Sequence, residues 1–505
     1  MRPLDPSTIA LERASGTPLY RQIADALRRQ VLDGTLRSGD RLPPERRLAQ
    51  ALGVNRTTVV SAYNELLAEG LVERHVGRGT SVAGQRRSGA STSDEPVEWR
   101  RLFVRGVEEL APWQYSVADA LAAPGIVGTT CAEPLPDLLP VRELGRFATE
   151  LLEERGSEVL RVAPVEGVPR LRAAVARRLA QRGAELDATN VLVTAGGQQA
   201  IDLLARALVE AGDVVAIESP TYMGAVRAFQ QRGARLVGVP MDENGMRVDV
   251  LEQVLARWPV KLVFVTPNFS NPTGAVLSAD RRRQLLAVTR RYQVPVVEDD
   301  VFGELQFEGD TPPCLISAAP SDHVIHLSGM SKTLSAGLRV GWIAAAGAVI
   351  ERVAGLKQVS DLFTGTLNQW LALRAIESGL VERHLIAMRP LYRERRDALI
   401  GALGRHCGAW LATNRPPGGI VLWCRLAEGL RASDLLTEAY RAGVTFVPGE
   451  AFSADGGWRS YLRFSYGPLS HEEIEVLARR LATAMESVHA RQSPARTTAG
   501  ATPLV

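Results

Sequence analysis

Lys332 closes the run Leu327-Ser328-Gly329-Met330-Ser331-Lys332, and Arg339 follows in Gly337-Leu338-Arg339. By residue type this is an amine just after a small-residue turn, with a guanidinium one to two helical turns further on. Upstream, Asp299 lies in Val297-Glu298-Asp299-Asp300, and Asn271 opens the loop Asn271-Pro272-Thr273-Gly274. A lysine amine can condense with an aldehyde, and a carboxylate can keep a pyridinium nitrogen protonated. An arginine with backbone N–H groups can neutralise a phosphate. Those capacities together are most of what a pyridoxal phosphate site requires.

Elements that could carry such a set are legible around it. Val191-Leu192-Val193-Thr194, Val214-Val215-Ala216-Ile217, Leu262-Val263-Phe264-Val265 and Pro295-Val296-Val297-Glu298 are short, near-continuous apolar runs. Helical patterns over Gln198–Glu210 and Arg281–Tyr292 separate them. This alternation predicts an α/β domain with a mostly parallel sheet covered on both faces. Ala195-Gly196-Gly197-Gln198-Gln199-Ala200 joins a strand to a helix. Donors at a helix N-terminus suit a phosphate, so Gly197 and Gln198 are candidates to bind it. Asp299, at a strand end, is either a helix cap or the partner of a buried cation. Tyr222, in Pro220-Thr221-Tyr222, is by spacing alone as good a core tyrosine as a ring-stacking one.

The first part of the chain has another texture. Tyr20, Ile23, Ala24, Leu27 and Val31 recur at helical spacing. Pro43-Pro44-Glu45 opens a second helix with Leu48, Ala49 and Leu52, closed by Gly53. Asn55 is an N-cap for a third, with Val59, Ala62, Tyr63, Leu66 and Leu67 inward and Gly70 as the stop. Leu71–Arg74 and Thr80–Val82 read as strands around the turn Gly77-Arg78-Gly79. The second and third helices make a helix-turn-helix whose recognition helix begins Asn55-Arg56-Thr57-Thr58. Arg56 can pair bidentately with guanine, and Thr57, Thr58 and helix N–H groups suit phosphates. Arg46 and Arg47 fall on the helix that crosses the backbone, and Arg78 at the wing tip can enter a minor groove. As a small helical adaptor, the same unit would carry Arg46 and Arg56 merely as solvated arginines.

Composition bounds the rest. A chain of 505 residues exceeds one ordinary domain, and a net charge of only +3 confines any nucleic-acid surface to a local patch. Cys131, Cys314, Cys407 and Cys424 show no metal-ligand spacing, which fits a reducing compartment. No signal segment opens the chain and no apolar run is long enough to span a membrane, so the expectation is cytoplasmic, with no membrane partner and no metal.

The first unit resembles the winged helix of GntR-type transcription regulators through Leu42-Pro43-Pro44-Glu45-Arg46-Arg47-Leu48-Ala49, Leu52-Gly53-Val54-Asn55-Arg56-Thr57-Thr58-Val59, Glu69-Gly70-Leu71-Val72 and Gly77-Arg78-Gly79-Thr80. The second resembles fold type I aminotransferases from about Val127 to Ala484. In this order they resemble the MocR subfamily of GntR regulators. The expected organisation is a DNA-binding domain over 14–84, a flexible linker over 85–118, an aminotransferase-like domain with a small C-terminal α+β subdomain over 119–488, and a disordered tail over 489–505.

The resemblance makes Lys332 the Schiff-base lysine and sets Asp299 on the pyridinium nitrogen. It places Asn271 on the ring oxygen, Tyr222 on the ring face, and Arg339 with Ser331 on the phosphate. Arg463, in Tyr461-Leu462-Arg463-Phe464-Ser465, would grip a substrate or effector carboxylate as a bidentate fork; otherwise it is a strand-edge ion pair. Three positions depart from the family pattern. Phe302 and Val162 stand where tyrosines are common, and Gly329 stands where a hydroxyl is usual, with Ser328 beside it as the expected compensation. Each lost hydrogen bond is worth about 1 kcal/mol. Two readings follow from the resemblance. One is a regulator, dimeric on an operator, that senses pyridoxal phosphate, an amine or an amino acid. The other is a working aminotransferase with an accessory DNA-binding domain.

Overall fold

The computed structural model describes residues 9, 11, 12, 17–32, 35, 36, 39–75, 79–83, 125–134, 136–318 and 322–492. Two compact units divide the chain, Met1–Leu102 and Phe103–Val505.

In the first unit, α1 (Leu19–Leu32), α2 (Glu45–Leu52) and α3 (Arg56–Ala68) precede the antiparallel pair β1 (Val72–His75) and β2 (Gly79–Val82). The expected apolar stripes form one core, in which Ile23, Leu27, Leu48, Val59, Tyr63 and Leu66 are buried with Val72 and Val82. Leu67 departs from expectation at 39% exposed, because one residue beyond Leu66 the helix has turned about 100° from the core face. Gly53 ends α2 at φ 60°, a conformation that favours glycine, and its N–H reaches back to Ala49 and Gln50. The Asn55 side chain accepts from Thr57 N at 3.4 Å, as its capping role predicts. Register from Val72↔Val82 to His75↔Gly79 leads into the wing turn, but Gly77 and Arg78 lie outside the described residues. So does the expected linker over 85–118.

The second unit runs β3 (Val127–Gly128), α4 (Val141–Arg155), α5 (Pro169–Ala180), β4 (Val191–Thr194), α6 (Gly197–Leu208), β5 (Val214–Ser219) and α7 (Met223–Gln231). It continues with β6 (Arg235–Asp242), β7 (Gly245–Met246), α8 (Val248–Arg257), β8 (Val260–Val265), α9 (Ala279–Arg291), β9 (Val296–Asp299), β10 (Val324–Gly329) and β11 (Gly341–Ala344). The third stretch holds α10 (Gly347–Ser360), α11 (Thr366–Glu377), α12 (Leu380–Cys407), β12 (Leu411–Thr413), β13 (Val421–Leu426), α13 (Ala432–Arg441), β14 (Val444–Thr445), β15 (Val447–Pro448), β16 (Tyr461–Ser465) and α14 (His471–Gln492).

The large sheet has the order β4-β11-β10-β9-β8-β5-β6-β7. Strands β6, β5, β8, β9 and β10 are parallel neighbours, while β11 runs antiparallel to both β10 and β4. The continuous apolar runs now have a reason. Val191 and Val193 face one core while Leu192 faces another, and Val263 and Val265 likewise alternate with Leu262 and Phe264. With both faces covered, neither phase of the period-two pattern can be polar. A smaller antiparallel sheet, β12-β13-β16-β15, completes the unit as the expected α+β subdomain. Residues 489–492, expected in the tail, continue α14 to Gln492, and 493–505 lie outside the described residues. All four cysteines are free.

Candidate functional site

Five of the sheet's strands end around one cavity of about 320 Å³. β4 leads to Gly197 and Gln198, β5 to Tyr222, and β8 to Thr266 and Asn271; β9 ends at Asp299 and β10 leads to Ser331 and Lys332. A crevice beyond the carboxyl ends of parallel strands is where open α/β sheets place their ligands. Arg339 and Arg463 also line it, so the structure brings all nine residues singled out in this unit to one pocket.

Asp299 is buried, and the one hydrogen bond its carboxylate accepts comes from Val301 N at 3.2 Å. Burial pushes its pKa up to about 7, and among the described residues no cationic side chain pairs with it. Arg463 is the opposite case. It is 2% exposed, its Nη1 is 3.5 Å from Asn271 Oδ1, and its Nη2 donates to the carbonyls of Thr129 and Thr130. Its Nε is buried without a partner, and burial lowers the guanidinium to about 10. A strand-edge ion pair is therefore not what Arg463 makes, for no carboxylate meets it among the described residues.

Lys332 Nζ donates to the carbonyl of Ala132 at 2.5 Å. Burial lowers its pKa, which Glu133 and Cys131 oppose and Arg463 and Arg339 reinforce. Arg339 holds φ at 52°; its Nη1 is 3.5 Å from Ser331 Oγ and its Nη2 donates to Ala195 O at 2.6 Å. Gly196, at φ 102°, leaves room for that guanidinium, since a Cβ there would sit 2.6 Å from Arg339 Nη2. Gln198 Nε2 donates to Gly224 O at 3.2 Å, and Tyr222 stands at the N-terminus of α7.

These features fit pyridoxal phosphate. Asp299 is a buried carboxylate lacking a cation, Lys332 is an amine held partly out of water, and Arg339 with Ser331 and the α6 N-terminus can take a phosphate.

The departures from the family pattern have physical reasons. A Cβ at Gly329 would lie 2.9 Å from Gly341 Cα and from Val340 O, so the close antiparallel pairing of β10 with β11 excludes a side chain. Ser328 does not compensate: its hydroxyl donates to Asp300 O at 3.0 Å, and it is not among the cavity's lining residues. Phe302 lines the cavity, whereas Val162 is 77% exposed. Sequence reasoning passed over the segment Thr130-Cys131-Ala132-Glu133, which also lines the cavity. Its contribution is largely backbone carbonyl, which has no signature in residue type.

On the first unit, Arg46, Asn55, Arg56 and Thr57 are exposed and Thr58 is half-buried. Arg56 is already engaged, with Nη2 3.0 Å from Glu45 Oε2, while Arg74 takes the other oxygen of Glu45 at 3.0 Å. Both ion pairs are solvent-accessible, so exchange for a nucleic acid costs little.

A winged helix-turn-helix with donors at its recognition terminus, fused to a lysine–aspartate–arginine pocket on a mostly parallel sheet, defines a DNA-binding domain joined to an aminotransferase-type domain. Residues 19–82 match the bacterial regulatory proteins of the gntR family, and residues 139–481 match aminotransferase class I and II. The chain is 32% identical to an uncharacterized HTH-type transcriptional regulator, YisV of Bacillus subtilis, over 92% of this chain and 95% of that one. It is 32% identical to the probable rhizopine catabolism regulatory protein MocR of Rhizobium meliloti, over 87% of this chain and 88% of that one. The crystal structure of LysN, an α-aminoadipate aminotransferase of Thermus thermophilus complexed with N-(5'-phosphopyridoxyl)-L-leucine, superposes with a TM-score of 0.73 and 34% identity, covering 78% of this chain and all of that one. The chain belongs to the aminotransferase class I and II family, within the MocR subfamily of GntR regulators, and its cofactor is pyridoxal 5'-phosphate.

Proposed function

We propose that this chain is a cytoplasmic transcription regulator that binds an operator as a homodimer and senses an amine or amino acid at its cofactor site. The observation that carries the reading is the pairing of two uncompensated buried charges in one cavity. Asp299 lacks a cation, and Arg463 lacks an anion. Bound pyridoxal phosphate supplies an aldehyde that takes up primary amines and a ring that draws electrons from them. Asp299 holds a proton at the ring nitrogen, Asn271 orients the ring oxygen, and Tyr222 covers a face. Gly197, Gln198, Ser331 and Arg339 would hold the phosphate, Lys332 would offer its amine to the aldehyde, and Arg463 would receive the ligand's carboxylate. On the DNA side, Arg56, Asn55, Thr57 and Thr58 meet base edges and phosphates, and Arg46, Gly77 and Arg78 meet the backbone and minor groove.

A second reading, a working aminotransferase, is favoured by the completeness of this set. Against it stand Phe302 and Gly329, which contribute no hydroxyl at the cofactor. One experiment separates them: the cofactor-loaded protein is given amino acids and then a keto acid, while absorbance and operator affinity are followed. A lasting spectral change with altered operator affinity supports the sensor. Repeated turnover with unchanged operator affinity supports the enzyme.

A further inference from the structure

Five charged side chains line the cavity: Lys332, Arg339, Arg463, Asp299 and Glu133. On the sensing reading, which this inference deepens, four of them have assignments. Asp299 meets the cofactor ring, Arg339 the phosphate, Lys332 the aldehyde, and Arg463 the α-carboxylate of the ligand. Glu133 is left over. It is exposed at the rim, and among the described residues its carboxylate makes no hydrogen bond or ion pair. Its backbone is fixed beside the reacting centre, because the preceding carbonyl, Ala132 O, accepts from Lys332 Nζ at 2.5 Å. The lining otherwise offers mostly apolar or neutral side chains, Met223, Val301 and Phe302 among them.

Along this segment Thr130 O meets Arg463, Ala132 O meets Lys332, and Glu133 comes next, so a ligand held at Arg463 and extending past Lys332 runs toward a carboxylate. We propose that the effector is an amino acid whose side chain ends in a cation, with Glu133 as the residue that selects it. A neutral side chain gains nothing from Glu133, and an acidic one is repelled by it. The rim is open to water, so discrimination by this contact is about tenfold rather than absolute.

The test uses the full-length, cofactor-loaded protein and isothermal titration calorimetry, with operator affinity as a second readout. The ligands are two isosteric pairs, L-lysine with L-2-aminoheptanoate and L-arginine with L-citrulline, together with L-glutamate. The expected result is that the basic member of at least one pair binds about tenfold more tightly than its neutral partner. Glu133→Gln brings that ratio close to one, and Glu133→Lys turns the preference toward L-glutamate. If Glu133→Gln fails to load cofactor, the opposite preferences of Glu133→Asp and Glu133→Lys carry the same test. Equal binding within both pairs, or a ratio that survives Glu133→Gln, overturns the assignment. Should neutral or acidic amino acids bind and shift operator affinity while basic ones do not, sensing stands and Glu133 is not its selector. Should none of them bind or shift operator affinity, this inference falls, and the sensing reading is decided by the absorbance and operator-affinity experiment above.

Discussion

On the proposed reading, Lys332 and Asp299 are where single side chains decide the chemistry. Lys332→Ala removes the amine that condenses with the cofactor's aldehyde, so the protein mixed with pyridoxal phosphate should lose the visible absorbance of the condensed form. A spectrum like that of the parent protein would displace Lys332 from its role. Asp299 gives a pH prediction for cofactor-free protein. Burial raises its folded-state value from 3.8 to about 7, so between those values the folded chain binds more protons than the unfolded chain. Its contribution to stability is therefore present below pH ~4 and lost as pH rises through about 7. The full loss is of the order of 4 kcal/mol. Glu218, buried nearby and raised to about 8, acts in the same direction. Asp299→Asn should thus melt at higher temperature than the parent at pH ~8 and flatten the melting profile, while binding the cofactor more weakly. Identical pH profiles would mean that Asp299 is not the titrating group. That these residues would share one cavity was legible because lysine, aspartate and arginine announce their chemistry by type. Glu133 was not, because nothing in Cys131-Ala132-Glu133-Pro134 says that the chain folds back over Lys332.

Strand pairings set what those residues have room to do. Gly196, Gly329 and Gly341 pack backbone to backbone where β4, β10 and β11 converge, with a Cβ on Gly341 only 2.8 Å from Gly196 Cα. Restoring the hydroxyl at position 329 is therefore not a gain of function. Gly329→Ser should destabilise the unit by about 1–3 kcal/mol through overpacking and should not tighten cofactor binding. A stable variant with tighter binding would show that the pairing can yield. The parallel strands were legible in sequence because burial on both faces leaves continuous apolar runs. The antiparallel insertion of β11 was not, since Gly341-Trp342-Ile343-Ala344 carries no mark of direction. In the first unit, apolar spacing placed α1 and capping and stop signals placed α2 and α3, and the misassigned Leu67 is one step beyond the apolar face. Between α2 and α3, Glu45 ties Arg56 to Arg74. Arg56→Ala should weaken operator binding by about 1–3 kcal/mol and relax preference at one base pair, leaving cofactor uptake as it was. Fluorescence anisotropy with single-base operator variants checks this, and equal affinities would remove Arg56 from the base-reading set.

At the scale of the whole molecule, the question is what makes two recognition helices act together. One winged helix spans one half-site, so a palindromic operator needs a two-fold pair of chains. For the proposed homodimer, the second unit has exposed apolar residues on which such pairing can be tested. Leu160 and Val162 are 67% and 77% exposed, and Val359 and Leu362 are 78% and 63% exposed. The Thr366 hydroxyl donates to Arg161 O at 2.6 Å, which ties the first of these segments to the chain just beyond the second. Single exposed apolar residues are ordinary, but four on two neighbouring segments make a patch that water disfavours. A two-fold interface repeats any substitution, so Val162→Asp with Leu362→Asp sets four carboxylates into one contact and desolvates them without partners. The expected outcome is a folded monomer by sedimentation velocity, with operator affinity reduced far more than by Arg56→Ala, because each half-site must then be bound separately. A double variant that sediments as a dimer would place the interface elsewhere. A monomer with full operator affinity would show that pairing on the DNA does not depend on this unit.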